Sequence, residues 1–149
     1  MDRVRPKGSS GDMTVRGRTA LIVSILLIIA LVHILRVGTY LRGSLFTLYY
    51  SYFSDIVVPF GMYFLLCLDA GRVRPLRDWR VRALLVFGVA SFTEVLQAFG
   101  VPLLGQTFDP LDFSMFGGGV LAAVLVDRFL LDRLLLWWTP KTGDAAEVR

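Results

Sequence analysis

Four long apolar stretches dominate this chain, and any fold must give all of them an apolar environment. They cover residues 19–37, 55–68, 81–103 and 112–131. A helix that crosses the hydrocarbon core of a bilayer needs about 20 mostly apolar residues. A soluble bundle would instead need polar faces at helical spacing, and residues 20–31 and 83–93 have almost none. The sequence therefore predicts an all-α polytopic membrane protein, with four transmembrane helices in a small bundle.

The second apolar stretch is the shortest, because Asp55 and Asp69 bound it closely. It can lengthen backwards into the uncharged residues 43–54, or forwards past Asp69. The segment 40–53 is rich in Tyr and Phe, which is typical of the aromatic belt at a membrane surface. We expect this belt to lie on the outer side.

Composition agrees with a membrane protein and excludes several other classes. Of the 149 residues, 55% are hydrophobic and 19% are charged, whereas a soluble domain usually carries about 25% charge. The net charge of +4 lies in short runs beside the apolar stretches, which is typical of membrane anchoring and not of nucleic-acid binding. Cys67 and His33 are the only residues of their types, so we expect no disulfide, no metal centre and no cofactor, and Cys67 as a buried, inert thiol.

The basic residues orient the predicted spans. They precede the first span (Arg3, Arg5, Lys7, Arg16, Arg18), lie between the second and third (Arg72, Arg74, Arg77, Arg80, Arg82) and follow the fourth (Arg128, Arg133, Lys141, Arg149). None lies between the third and fourth spans. Positive residues are retained in the cytoplasm, so both termini are predicted to be cytoplasmic. The predicted organisation is a basic tail (1–18), a transmembrane domain (19–138) and a second tail (139–149), with disorder at 1–12 and 141–149.

Two further local predictions concern the fourth span. Its extension, residues 129–138, is interpreted as an interfacial segment ending in two tryptophans, and Arg128 and Asp132 are expected to pair at i,i+4. Gly117, Gly118 and Gly119 are predicted to serve helix packing, since small residues let helices approach closely. No Lys or Arg accompanies these glycines, so a phosphate cradle is disfavoured.

Topology brings scattered polar residues to one depth. Glu94 lies about 20 Å along its helix from the cytoplasmic end, and therefore about 10 Å below the outer surface of a core about 30 Å thick. His33 reaches a similar height. The other polar groups near this level are Gln97, Asp55, Asp109, Asp112 and Arg36. An ionisable group at this depth is costly and is a functional candidate.

Structural roles for the same residues remain open. Glu94 is either a ligand-contacting group or a residue that ties helices together through a hydrogen bond. Asp55 and Asp112 can serve as helix N-caps, an interpretation we favour for Asp55. Asp109 precedes Pro110 and can start a turn.

The segment from Glu94 to Gly119 resembles the VanZ-like membrane protein family. That family has Glu-x-x-Gln on one helix, a loop of the form Gly-Arg-x-x-Asp-x-x-Asp, and then Asn and Gly at fixed spacing on the next helix. The matching positions are Glu94, Gln97, Gly105, Asp109, Asp112 and Gly119, and Asp55 resembles the family's acidic residue in the second span. Gln106 and Phe116 stand where the family has the Arg and the Asn, which removes the obvious counter-ion for the carboxylates. Either Arg36 or Arg42 replaces that counter-ion, or the site has diverged from the use that the family makes of it.

The resemblance implies a bacterial inner-membrane protein of the cell envelope, in a family whose founding member is linked to reduced susceptibility to a glycopeptide antibiotic. The first hypothesis is an outward-facing pocket that binds a polar headgroup or a lipid-linked envelope precursor. The second is a structural subunit of a larger membrane protein complex, and the third is an enzyme acting on a lipid-linked substrate. Catalysis is disfavoured, because the sequence shows no nucleophile–base pair, metal-ligand set or phosphate-binding motif.

Overall fold

The computed structural model describes residues 9–35, 37–101, 109–135 and 138, and in that part every regular element is helical. Four of its helices are long and apolar enough to cross a membrane. The predicted fold class, an all-α polytopic membrane protein with four spans, is confirmed. The helices are α1 (Ser9–Ile34), α2 (Ser44–Asp69), α3 (Trp79–Ala98) and α4 (Asp112–Leu134). Short 3-10 turns, Val37–Tyr40 and Arg74–Arg77, precede α2 and α3.

The ends of α1 and α2 differ from the predicted apolar stretches. α1 begins at Ser9, so the prediction of disorder is wrong for residues 9–12. α2 extends backwards to Ser44, through most of the aromatic segment, and thereby gains the length that the second span needed. Gly43 precedes it at φ +64°, a conformation that glycine adopts without the Cβ penalty of other residues.

α4 is a composite helix. Its first part, Asp112–Leu125, is regular α-helix, and it continues as a π-helical segment, Val126–Leu131, before a last α turn. π-helical turns are rare and frequently occur at functional sites. The predicted pair within this region is confirmed, since Arg128 and Asp132 form an ion pair at 2.9 Å.

The core lies between α2, α3 and α4. It includes Tyr63 and Phe64 of α2, Val86 of α3 and Ala123 of α4, and α1 adds Ile22. α2 contacts all three other helices, most extensively α4. Because the chain reverses direction between successive helices, α2 and α4 run parallel. We call the end where α3 ends and α4 begins the carboxylate end, and the opposite end the arginine end.

The outward faces of the helices are apolar. Leu27 of α1, Leu84 of α3 and Leu121 of α4 are all exposed. Only 6% of the most apolar stretch of α1 is buried in the bundle, against 39% of the corresponding stretch of α4. In a bilayer these faces meet lipid chains, so contact with membrane lipid follows directly from the fold. The orientation with both termini in the cytoplasm stays a prediction from the basic residues.

Candidate functional site

Glu94 is the buried centre of the carboxylate end. It lies on α3, and only 1% of its surface is exposed. Its Oε1 accepts a hydrogen bond of 2.7 Å from the backbone N–H of Asp109. This bond attaches the turn that leads into α4 to α3, so Glu94 has a structural role. A carboxylate accepts through two oxygens, and the bond to Asp109 uses Oε1.

Asp109 organises the start of α4. Its Oδ1 accepts a hydrogen bond of 2.9 Å from the backbone N–H of Leu111, which is the local turn that an Asp before Pro110 favours. Its own N–H is the donor to Glu94. The expected turn-starting role of Asp109 is therefore present, and the same turn holds its carboxylate beside the end of α3.

Asp55 and Asp112 complete the group from α2 and α4. Asp55 interacts electrostatically with Glu94 and Asp109, and Asp112 interacts with Asp55, Glu94 and Asp109. Both side chains are half-buried. We call these four residues the carboxylate cluster. Two helices, α2 and α3, and the start of α4 thus bring together the four acidic residues that the sequence singled out.

Neither aspartate is a helix N-cap. Asp55 lies in the interior of α2, whose N-cap is Gly43, so the N-cap interpretation of Asp55 is wrong. Asp112 lies in the first turn of α4, and Leu111 occupies its N-cap position. A carboxylate in the first turn is stabilised by the helix dipole, which explains Asp112 only in part.

The cluster has no cationic partner among the residues that the structure describes. No ion pair within those residues joins a Lys or Arg to any of the four carboxylates. Arg36, one proposed counter-ion, lies outside the described residues, and Arg42 is exposed. Gln97 is half-buried, one turn beyond Glu94 on α3. Within the same part of the chain, no three His, Cys, Asp or Glu residues are arranged to hold a metal ion.

The three glycines of α4 differ in their surroundings. A Cβ on Gly119 would overlap the backbone carbonyl oxygen of Ile56 and lie 2.9 Å from its carbonyl carbon. A Cβ on Gly117 would make an ordinary contact of 3.7 Å with Phe87, and one on Gly118 would meet nothing within 4 Å. Gly119 therefore permits the close approach of α4 to α2 one residue from Asp55. The exposed Gly118 contributes nothing to this contact.

A second buried polar centre at the arginine end was not foreseen from the sequence. Arg82 of α3 and Asp127 of α4 form an ion pair at 2.7 Å, with side chains only 6% and 4% exposed. Asp127 also accepts hydrogen bonds from the Tyr63 hydroxyl (2.7 Å) and from Trp138 Nε1 (2.6 Å). Arg82 donates a further bond of 2.7 Å to the carbonyl oxygen of Leu76. We call Arg82, Asp127, Tyr63 and Trp138 the arginine–aspartate centre.

This centre bears on two interpretations of the sequence. The prediction that Arg82 is one of the loop arginines is wrong, because Arg82 lies inside α3 and is buried. Trp138, which we expect in an interfacial segment, is 2% exposed and donates a hydrogen bond to Asp127; its level in the membrane stays a prediction, and Trp137 lies outside the described residues. The available signal was the position of two charges within or beside apolar stretches, the same signal that identified Glu94. About 18 Å of α3 separates Arg82 from Glu94, so the two centres are distinct.

Comparison with protein-family models, with curated proteins and with solved structures finds no match to this chain. The resemblance to the VanZ-like family therefore depends on the motif residues themselves. Gly105 and Gln106 lie outside the described residues, and Phe116, at the position of the family's Asn, is buried. What the site can bind has to be argued from the cluster's own geometry and charge.

Proposed function

We propose that this chain is a VanZ-like protein of the bacterial inner membrane, and that its carboxylate cluster binds the amino group of a lipid headgroup or of a lipid-linked envelope precursor. The observation that supports the proposal is the convergence of Asp55, Glu94, Asp109 and Asp112 without a described cationic partner. The ligand enters from the outer leaflet, on the orientation predicted from the basic residues.

Electrostatics favours a cation at this position. Like charges that share a site repel each other, and they do so more strongly in a protein than in bulk water. A bound ammonium group reverses the sign of the interaction, and its N–H groups donate to carboxylate oxygens in charge-assisted hydrogen bonds. An ammonium ion also has lower geometric demands than a metal ion, for which no three suitable described side chains are arranged.

Depth favours a group attached to a lipid. Asp112 begins the fourth apolar span and Glu94 lies near the end of the third. The cluster therefore lies in the outer part of the hydrocarbon core, within about 10 Å of the level where hydrocarbon gives way to headgroups. A headgroup amine reaches this level while its chains remain beside the exposed faces of the helices.

The test is selective retention of amine-bearing lipid. Protein purified in mild detergent is mixed with equal amounts of phosphatidylethanolamine and phosphatidylglycerol, and the bound lipids are counted by native mass spectrometry. We expect the wild type to retain phosphatidylethanolamine preferentially. Glu94→Gln and Asp112→Asn should each reduce this preference by about 10- to 150-fold, the equivalent of one lost charge-assisted hydrogen bond of about 1.5–3 kcal/mol.

Asp69→Asn provides the matched control, because Asp69 is an exposed carboxylate at the other end of α2, near Arg72. It should leave the lipid preference unchanged. Equal retention of both lipids by the wild type, or an unchanged preference in folded Glu94→Gln and Asp112→Asn proteins, contradicts the proposed function.

A second candidate, a subunit of a larger membrane complex, is favoured by the exposure of α1. Only 6% of the most apolar stretch of α1 is buried, and the helix that α1 mainly contacts is α2. A partner helix or lipid can cover the remaining faces. Purification from native membranes in mild detergent separates the two candidates: a stoichiometric multi-protein complex supports the subunit, and a single protein carrying lipid supports the binder.

A further inference from the structure

A cavity of about 320 Å³ lies between the end of α1 and the start of α2. His33, Tyr49, Tyr50, Phe53 and Ser54 line it. Its volume falls in the range of small-molecule sites, which are mostly apolar with a few placed polar groups. Because Ser54 immediately precedes Asp55, the cavity lies at the carboxylate end, yet no residue of the carboxylate cluster lines it.

The aromatic wall of the cavity is held in place by its neighbours. The Tyr49 ring stacks on Phe53, with centroids 4.3 Å apart, and stands at 74° to the ring of Tyr50. A Cβ on Gly38 would overlap the Tyr49 ring, so the backbone at Gly38 backs this ring directly. The steep angle between the Tyr49 and Tyr50 rings makes an aromatic corner, in which Tyr50, 55% exposed, is the more open ring.

The polar side chains among the residues that line the cavity, apart from the two tyrosines, are His33 and Ser54, and neither is an anionic acceptor. His33 Nε2 and Ser54 Oγ are 3.2 Å apart and form a hydrogen bond, and the His33 ring lies 5.7 Å from that of Phe53. No carboxylate lines the cavity, so a primary ammonium would lose hydration without gaining an ionic acceptor. A quaternary ammonium has no N–H donors and is attracted to aromatic faces by the ring quadrupole.

We propose that this cavity binds a quaternary ammonium group of the choline type, carried either by a lipid headgroup or by a free solute. The aromatic corner of Tyr49, Tyr50 and Phe53 contacts the methylated nitrogen, while the negative potential of the neighbouring carboxylates favours a cation. The Ser54–His33 pair is positioned to bind the attached oxygen. This site is separate from the carboxylate cluster, and its ligand differs by lacking N–H groups.

The test compares choline with 3,3-dimethyl-1-butanol, its uncharged isostere. The wild-type protein is placed in phosphatidylglycerol nanodiscs, and the affinity of each compound is measured by saturation-transfer NMR. We expect choline to bind about 2- to 30-fold more tightly than the isostere, the range that corresponds to a cation–π contribution of this kind. Equal or tighter binding of the isostere overturns the proposal, because the cavity is then merely apolar.

Tyr49→Leu and Tyr50→Leu remove aromatic faces while keeping apolar volume, and each should lower choline affinity towards that of the isostere. Tyr40→Leu is the matched control, since Tyr40 is 82% exposed and does not line the cavity. Unchanged choline affinity in both folded cavity variants also overturns the proposal.

In phosphatidylcholine nanodiscs, loss of the choline signal identifies the lipid headgroup as the occupant, and an undiminished signal identifies a free solute. Glu94→Gln should not abolish choline binding, so this site can fail or succeed independently of the carboxylate cluster.

Discussion

Replacement of Asp127 by Asn should destabilise the bundle far more than the same change at Asp132. In the wild type, Asp127 pairs with Arg82 at 2.7 Å, and both side chains are almost fully buried. Asn keeps an oxygen that can accept from Tyr63 or Trp138, but it leaves the Arg82 guanidinium charged and unpaired. Removing one partner of a buried ion pair typically costs about 3–5 kcal/mol, which corresponds to an opened population larger by about 150- to 5,000-fold.

The single cysteine of the chain provides the assay. Cys67 is fully buried, as the sequence predicted, and it belongs to the same core cluster as Tyr63 and Trp138. Its labelling by a maleimide in detergent therefore requires opening of the structure near the arginine–aspartate centre. Under conditions where closing is faster than labelling, the labelling rate of Asp127→Asn should rise by the same factor as the opened population.

Two variants bracket this result. Asp132 pairs with Arg128 at 2.9 Å, but those side chains are 18% and 43% exposed, so Asp132→Asn should cost about 0–1 kcal/mol and raise labelling by at most about 5-fold. The double variant Arg82→Met with Asp127→Leu removes both buried charges and should restore part of the lost stability. The recovery is incomplete because the buried Tyr63 hydroxyl and Trp138 Nε1 then lose the carboxylate that accepts their hydrogen bonds. If Asp127→Asn labels no faster than Asp132→Asn, the buried pair does not stabilise the bundle as argued.

Three further outcomes follow from particular contacts. Gly119→Ala should destabilise the protein by about 1–3 kcal/mol, because the added Cβ overlaps Ile56. Gly118→Ala should be neutral, or stabilising by up to about 1 kcal/mol from helix propensity. Thermal unfolding in detergent measures both changes, and equal effects contradict the close contact at Gly119. Tyr63→Phe removes a hydrogen bond to the Asp127 carboxylate and should cost about 1.5–3 kcal/mol; a melting temperature equal to that of the wild type contradicts this role. In a variant with Cys67 replaced by Ala, a new cysteine at Arg74 should be shielded from an impermeant thiol reagent in intact cells and one at Val101 should react, as the predicted orientation requires; the reverse pattern contradicts that orientation.

The spans were predictable because hydrophobicity is a local property of the sequence. Mean apolarity along a stretch decides whether it can occupy a bilayer, and no tertiary contact is needed to judge it. The convergence of the carboxylate cluster was predictable for a related reason. Successive helices alternate in direction, so counting rise per residue places Glu94, Asp55 and Asp112 at one depth without knowledge of their packing.

Features that depend on rotation about a helix axis or on distant pairing were not predictable in this way. Arg82 and Asp127 are 45 residues apart, and the run of loop arginines concealed that Arg82 faces the core. Depth alone also does not tell which of Gly117, Gly118 and Gly119 faces α2. The bond from Asp109 to Glu94 uses a backbone N–H, a donor present at every non-proline residue and therefore without any signal in the sequence.

The central claim is that Glu94 and Asp112 meet a headgroup amine in the membrane. Solid-state NMR can measure this contact directly, with ¹³C-labelled Glu and Asp carboxyl groups in the protein and ¹⁵N-ethanolamine in the lipid. We predict dephasing of carboxyl signals by the lipid nitrogen, and loss of these dephased signals in Glu94→Gln and Asp112→Asn but not in Asp69→Asn. Carboxyl signals that show no dephasing at saturating ethanolamine lipid would contradict the account.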